Sequence, residues 1–387
     1  MHRITRTGTA LVAAAAINLA SPMAYASPLD QLFDTPSDPQ ATAMVQLPTT
    51  PAPTTTADGR QVTINDGIFT STDGKNTPIY WKSNTIANPK GTVVVVHGAA
   101  EHLGRYEWVT GNLLNAGYNV YRLDHRGHGK SGRVENTPVA KGHIDDFHYL
   151  VDDLNQLVKK AKAEHPDNKT FLLGHSMGGL AVNFYGIKYP GVVDGIIANG
   201  GGAAINPHGG LEKSTVLTPA QLTDMQREAQ PTLYESLPWQ QMTTFNSRLV
   251  SQLPNRKDMR VPSLPGTERI QVGNPLAPKT ASSQRVRDEY KTDQLNNSTM
   301  SIGMAQQMVV AGFYNGINAD SFTDPTLIMH GTADEIVPPF FSQDWYNGIS
   351  STDKKFVEWK GQFHEVFNEP AQKEAIDFAI AWLNERV

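Results

Sequence analysis

The chain contains no cysteine, which excludes both a disulfide framework and lipid attachment at a cysteine. Charge is sparse as well: Asp, Glu, Lys and Arg make up 18% of the 387 residues, too little for wholesale disorder. A basic excess is missing. The 33 Lys and Arg are outnumbered by 38 Asp and Glu, and a net charge of -5 argues against nucleic acid as a partner. No run is apolar for long enough to cross a bilayer core of ~30 Å. What is present is 39% apolar residues, enough for one large domain or two smaller ones with a substantial core.

The beginning of the chain differs from the rest. "MHRITRTGTALVAAAAINLASPMAYAS" places Arg3 and Arg6 before an apolar stretch over 10–20 and Ala24-Tyr25-Ala26 before Ser27. This pattern predicts a Sec-type signal peptide over 1–26, cleaved after Ala26. Arg3 and Arg6 are not adjacent, which argues against a twin-arginine route. The expected destination is the periplasm, the cell envelope or the extracellular space. Residues 27–60 are rich in Pro, Thr, Ala and Asp and read as a flexible linker with little to bury.

From Gln61 the pattern becomes that of a folded domain. Two alternating runs around Asp-Gly signals, within 61–83, predict an antiparallel hairpin. Continuously apolar runs follow at 91–98, 118–124, 170–176, 193–201, 325–331 and 354–361. Helical stretches separate them, among them 145–162 and 180–189, and a last helix is expected at 372–386. Strands apolar on both faces that alternate with helices predict a mostly parallel sheet flanked by helices.

The alternation fails between 206 and 312, where amphipathic pieces such as "LTPAQLTDMQREAQ" and "MSIGMAQQMVVAGF" alternate with Pro-rich loops. A structureless loop of that length is improbable in a compact domain, so 206–312 reads as an inserted, mainly helical cap. The core is then 61–205 together with 313–387. Met300, Met304 and Met308 recur every four residues. They form either the core of the cap itself or a pliable wall for an apolar substrate chain.

Gly174-His175-Ser176-Met177-Gly178 matches G-x-S-x-G, with a strand before it and a helix after it. That context makes Ser176 the candidate nucleophile, and a serine hydroxyl needs a base oriented by a carboxylate. In this topology the chain order is Ser, acid, His. After Ser176 the histidines are His208, at the cap boundary, His330, inside a strand, and His364, in a loop after the last strand. His364 fits the base. Asp334, just past the penultimate strand, fits the acid; Glu335 beside it is the second candidate, and Asp324 lies at the wrong end of the strand. The oxyanion hole calls for two backbone N–H groups. Met177 supplies one, and the loop after "TVVVVHG" supplies the other, with Ala99 the best placed.

"HGAAEHLGRY", "DHRGHGKS", "GHSMGG", "HGTADEIVP" and "FHEVFNEP" occur in this order. Together they resemble the monoacylglycerol lipase and lysophospholipase branch of the α/β-hydrolase superfamily. The resemblance covers roughly 91–200 and 322–387. It implies an α/β-hydrolase fold, the triad Ser176, Asp334 and His364, oxyanion donors Ala99 and Met177, and a helical cap lining an acyl channel. Ala100 departs from the pattern, since relatives often carry glycine there. The cap matches only around "YKTDQL".

Other polar groups have plainer uses. His97, His102, His125 and His128 are expected to shape strand-end loops, and no metal or cofactor is called for. Glu101 and Arg105 either hold a substrate head group or fix their loop by an ion pair. Together with Met304 and Met308 they complete the candidate substrate-binding set. Asp145, Asp146, Asp152 and Asp153 read as a helix N-terminal bias with a solvated face.

The expected activity is hydrolysis of single-acyl lipid esters (monoacylglycerol, lysophospholipid or acyl-sugar type) through an acyl-enzyme on Ser176. The partner is then a lipid ester, with peripheral contact to membrane or envelope lipids. A proline-type aminopeptidase or amidase would use the same triad, with Glu212, Glu228 or Glu235 available to hold a free amine. A non-catalytic binding protein of this fold would be expected to have lost a triad residue.

Overall fold

The computed structural model describes residues 44–202, the backbone of 226–227, and 256–387. The signal peptide and cleavage site expected over 1–26 therefore lie outside the described residues. So do His208, Glu212, Glu228 and Glu235.

The hairpin signals form β1 (Thr63–Thr70) and β2 (Pro78–Thr85), paired antiparallel. The apolar runs form β3 (Gly91–Val96), β4 (Tyr118–Leu123), β5 (Lys169–His175), β6 (Gly195–Asn199), β10 (Thr326–Gly331) and β11 (Lys354–Trp359). A two-residue strand, β7 (Gln226–Arg227), joins the far edge, where the sequence suggests helix. The nine-stranded sheet has the order β1-β2-β4-β3-β5-β6-β10-β11-β7, parallel from β4 to β11. Helices α1 (Glu107–Asn115), α2 (Phe147–Glu164), α3 (Met177–Lys188), α4 (Gln284–Thr292), α5 (Ile302–Asn318), α6 (Phe340–Gly348) and α7 (Gln372–Asn384) complete the described framework.

The unbroken valines of β3 are explained by burial on both faces of the sheet. Val94 and Val96 join Leu172 and Ile196 in the cluster under α2, α3 and α5, whereas Val93 and Val95 join Phe171, Leu173 and Ile197 in the cluster under α1 and α7.

Two departures from the sequence reading concern the segments outside this sandwich. The segment expected to be a flexible linker up to residue 60 is docked from Met44 onward. Val45 packs with Ala281 and Val286, the Pro48 carbonyl accepts from Trp108 N at 3.1 Å, and Gln46 N donates to Gln372 Oε1 at 2.5 Å. Proline-rich chain has few side chains to bury, so it is held largely through its backbone. The boundary expected between cap and core at 312 falls inside α5. Met304 is wholly buried in the same cluster as Phe147 and Met177, and Met308 packs against that cluster. Met300, at the centre of β9 (Thr299–Ser301), is buried in this cluster too, so the methionine stripe runs from β9 onto the core-facing side of α5. The short ladder of β8 (Gln271–Gly273) with β9 leads into this helix.

Candidate active site

β5 ends at His175 and α3 begins at Met177, so Ser176 is the whole of the turn between them. Its φ of 55° is a conformation a side-chain-bearing residue adopts only under local constraint. Two contacts impose it. Ser176 N donates to Asn199 O at 2.8 Å, and Leu180 N donates to Ser176 O at 3.0 Å. The flanking glycines are obligatory: a Cβ at Gly178 would lie 2.1 Å from Val96 O, and one at Gly174 would lie 2.2 Å from Gly178 O. Ser176 remains half-buried while its neighbours are buried.

His364 is buried beside this turn. Its ring lies 4.7 Å from that of His175, and a Cβ on Gly200 would come within 3.3 Å of its Cε1 and Nδ1. Its Nδ1 is 2.6 Å from Asp334 Oδ2. Asp334 follows β10 and is filled by donors: Oδ1 accepts from Ile336 N at 2.8 Å and Val337 N at 2.9 Å, and Oδ2 accepts from both His364 and His330. Burial by itself would raise the carboxyl, but His364, His330 and these hydrogen bonds hold it well below the usual carboxylate range. Burial likewise pushes His364 down. The Asp334 carboxylate, its hydrogen bond, and then Glu365 and Glu101 outweigh it, and the imidazole ends above its ordinary value. Glu335, the alternative acid, is exposed and pairs with Lys279 at 2.8 Å.

Met177 opens α3, so its N–H is among the donors an α-helix leaves without an intrahelical partner. The loop bearing Ala99 is fixed from three sides. Gly98 N donates to Glu101 Oε1 at 2.6 Å, Tyr290 Oη donates to Ala99 O at 3.3 Å, and Asn297 N donates to Ala100 O at 2.8 Å. Ala100 has φ 59°, which gives a physical reason for the glycine expected there. Tyr290 and Asp293 belong to "YKTDQL". Asp293 pairs with His102 Nε2 at 2.8 Å, so this motif fastens the inserted segment to the loop after β3.

Glu101 and Arg105 are both buried. Arg105 is wholly buried between Glu101 and Glu365, and these contacts settle the pair in the loop-fixing use. The histidines serve the loops too. His97 Nε2 accepts from His125 N at 2.9 Å, and the His97 and His125 rings lie 4.4 Å apart, with His128 5.5 Å from His97. The acidic run is less solvated than its pattern suggests. Asp146 caps α2 by accepting from His148 N at 2.8 Å, and Asp152 pairs with Lys188. Asp145 and Asp153, however, grip the buried Arg126, each at 2.8 Å. A sequence pattern cannot reveal that partner, because it comes from the loop after β4.

Asn199 and Glu365 escape the sequence reading. His330, inside a strand, does not fit the base, yet the carboxyl end of a strand is where site residues gather, and the structure places it against Asp334.

A strained serine on a strand-to-helix turn, with a buried His–Asp pair at the carboxyl end of a parallel sheet, defines a serine hydrolase of the α/β-hydrolase class. Comparison with known proteins narrows this. The Hydrolase_4 family model (serine aminopeptidase, S33) matches residues 87–371. A monoacylglycerol lipase of Mycolicibacterium smegmatis is 31% identical over 304 residues, covering 78% of this chain and 90% of that protein. Phospholipase YtpA of Bacillus subtilis is 24% identical over 309 residues, covering 79% and 99%. Among solved structures, a monoacylglycerol lipase of Paleococcus ferrophilus superposes with a TM-score of 0.56 at 24% identity, covering 84% of this chain and all of that one. A carboxyl esterase of Bacillus coagulans gives 0.59 at 20%, covering 84% and 98%. The chain belongs to the Hydrolase_4 family of α/β-hydrolases. Its lipase and esterase relatives make it a serine ester hydrolase.

Proposed function

We propose that the protein is an exported hydrolase of monoacyl esters that works through an acyl-enzyme on Ser176. In this reading Ser176 Oγ attacks the ester carbonyl carbon as His364 Nε2 takes its proton. The N–H groups of Met177 and Ala99 receive the oxyanion. Collapse of the tetrahedral intermediate breaks the bond to the alcohol, which leaves with the proton from His364. Water, deprotonated by the same nitrogen, then releases the fatty acid and restores Ser176. Asp334 stays ionised throughout and orients the ring. The observation that carries the reading is the 2.6 Å contact between His364 and Asp334, buried beside the strained Ser176.

The likeness to the monoacylglycerol lipase of Mycolicibacterium smegmatis supports a monoacyl substrate with a polar head, such as glycerol, glycerophosphate or a sugar. Each buried methylene is worth ~0.8 kcal/mol, so kcat/KM rises with acyl length over short to medium chains. Diacyl and triacyl esters are poorer, because the insertion crowds a second chain. The sequence of the insertion also offers Trp239, Phe245 and Leu249 as apolar surface for the acyl chain; all three lie outside the described residues. Export rests on Arg3, Arg6 and Ala24-Tyr25-Ala26.

The test is kcat/KM across mono- and diacyl esters of one head group, with Ser176→Ala as control, beside an aminoacyl amide. A flat chain-length profile, or faster release from the amide than from any ester, favours the peptidase reading that the family's name carries. N-terminal sequencing of protein from the producing cell checks export; an intact Met1 rejects it.

A further inference from the structure

Beneath the Asp334–His364 pair lies a second histidine that the reaction as written does not use. His330, near the end of β10, is completely buried. Its Nε2 lies 2.7 Å from the Val337 carbonyl oxygen and 3.0 Å from Asp334 Oδ2. A carbonyl can only accept, so Nε2 carries the hydrogen and shares it between the two oxygens. Its Nδ1 lies 2.7 Å from Ser342 Oγ, in α6. The ring is therefore held from both sides.

The consequence falls on one oxygen. Asp334 Oδ1 is taken by two backbone N–H groups, so both imidazoles converge on Oδ2. We propose that His330 is a positioning residue for ester hydrolysis: as a donor to Oδ2 it locks the Asp334 carboxylate in place and moderates the basicity of His364. This rests on the assignment of Ser176, His364 and Asp334 proposed above. An oxygen that shares its charge between two donors pulls less strongly on the proton of either one. The other groups that act on His364 are Glu365 beside it, Glu101 and Arg105 beyond that, and the His175 ring. All of them are unchanged when His330 alone is replaced, so the acid limb of the pH–rate profile isolates its contribution.

A space-filling role predicts something different, because leucine would fill the site as well. The experiment is steady-state turnover of a short-chain ester from pH 5 to 9 by the full chain and by His330→Leu, His330→Gln, Ser342→Ala and Ser176→Ala. His330→Leu is expected to lower kcat about 10- to 100-fold, the loss of one hydrogen bond to a charged group, with KM little changed. Its acid limb moves to higher pH. His330→Gln, which restores an N–H at similar reach, recovers most of the rate and returns the limb toward the wild-type position. Ser342→Ala keeps the donor but frees the back of the ring, and shifts the limb in the same direction by less. The proposal is overturned if His330→Leu keeps the wild-type kcat and limb, or if His330→Gln falls as far as His330→Leu. Should His330→Leu fail to fold, an unchanged limb in Ser342→Ala overturns it. If wild type turns over, Ser176→Ala does not and His330→Leu is unaffected, this inference alone fails. If the wild type hydrolyses no ester, the esterase reading fails first.

Discussion

Arg105 and Glu365 form a two-pronged ion pair, Nη1 to Oε1 at 3.1 Å and Nη2 to Oε2 at 2.9 Å, with both side chains buried. The guanidinium also reaches Glu101 Oε2 at 3.3 Å and lies 4.5 Å over the Tyr290 ring. Glu101 Oε1 accepts from Gly98 N and from Tyr106 Oη. One cation therefore ties the loop of the proposed oxyanion donor to the loop of the proposed base. Arg105→Met leaves two buried carboxylates without a counter-ion, which costs about 3–5 kcal/mol. Arg105→Lys keeps the charge but loses the fork and falls in between. Urea unfolding of the three proteins measures this; equal stabilities would show that the pair does not hold the loops.

Replacing Ser176 or His364 by alanine is expected to remove activity by about 10⁴-fold or more, and the double replacement should cost little beyond either one. Asp334→Asn folds normally but is severely impaired, because the amide misorients the imidazole. Glu335→Gln, at an exposed pair with Lys279, leaves kcat/KM nearly unchanged. The reverse order of these two effects in a kinetic comparison rejects Asp334 as the acid.

The pH profile follows from the same pair. A base of ordinary pKa ~6.5 would lose activity below about pH 6. In the structure the Asp334 carboxylate raises His364 against the effect of burial, so the acid limb has its midpoint above 6.5. The ring must be neutral to accept the proton of Ser176, so activity is lost as pH falls through that value. A kcat/KM profile with its acid limb below pH 6 would contradict the buried pair.

The sheet was legible because its strands are buried on both faces: four consecutive valines in β3 have few other uses. Ser176 was legible because the glycines at 174 and 178 satisfy a steric demand within five residues of chain. Asp334 and His364 followed from chain order. What stayed hidden depends on contacts between residues far apart in sequence. Arg105 meets Glu365 and Arg126 meets Asp153, and no local pattern marks those pairings. The methionines at a four-residue spacing fit both a buried face and a channel wall, since both are apolar.

Backbone strain at the oxyanion loop gives a paired prediction. Ala100 sits at φ 59°, where a side chain costs roughly 1–2 kcal/mol. Ala100→Gly relieves that cost but loosens the unfolded chain, leaving a net gain of up to about 1 kcal/mol with kcat/KM preserved. Gly178→Ala, by contrast, drives a methyl to 2.1 Å from Val96 O and is expected to abolish the elbow. Thermal unfolding of both variants is the measurement, and a destabilised Ala100→Gly would show that the loop is not strained.

The buried histidines under the oxyanion loop set how the fold responds to acid. Burial pushes His128 down to about 4 and His125 to about 3, and His128 Nε2 and His125 Nδ1 are buried among the described residues without a partner. In the unfolded chain each ring titrates at ~6.5. Above that pH neither state binds the proton, and the fold keeps its full stability. As pH falls from 6.5 toward 4, the unfolded chain takes up a proton that folded His128 refuses, so stability declines. The raised carboxyls of Asp153 and Asp324, both pushed by burial to about 6, are lowered in stability by rising pH and act with the opposite sign over the same window. The test is therefore a difference between variants. His128→Gln cannot be protonated, so the gap in unfolding free energy between pH 7 and pH 4.5 should become about 2–3 kcal/mol more favourable to the fold at the acid end than in wild type. Urea titrations of both proteins at the two pH values measure it. An unchanged gap would mean that His128 is charged in the folded protein.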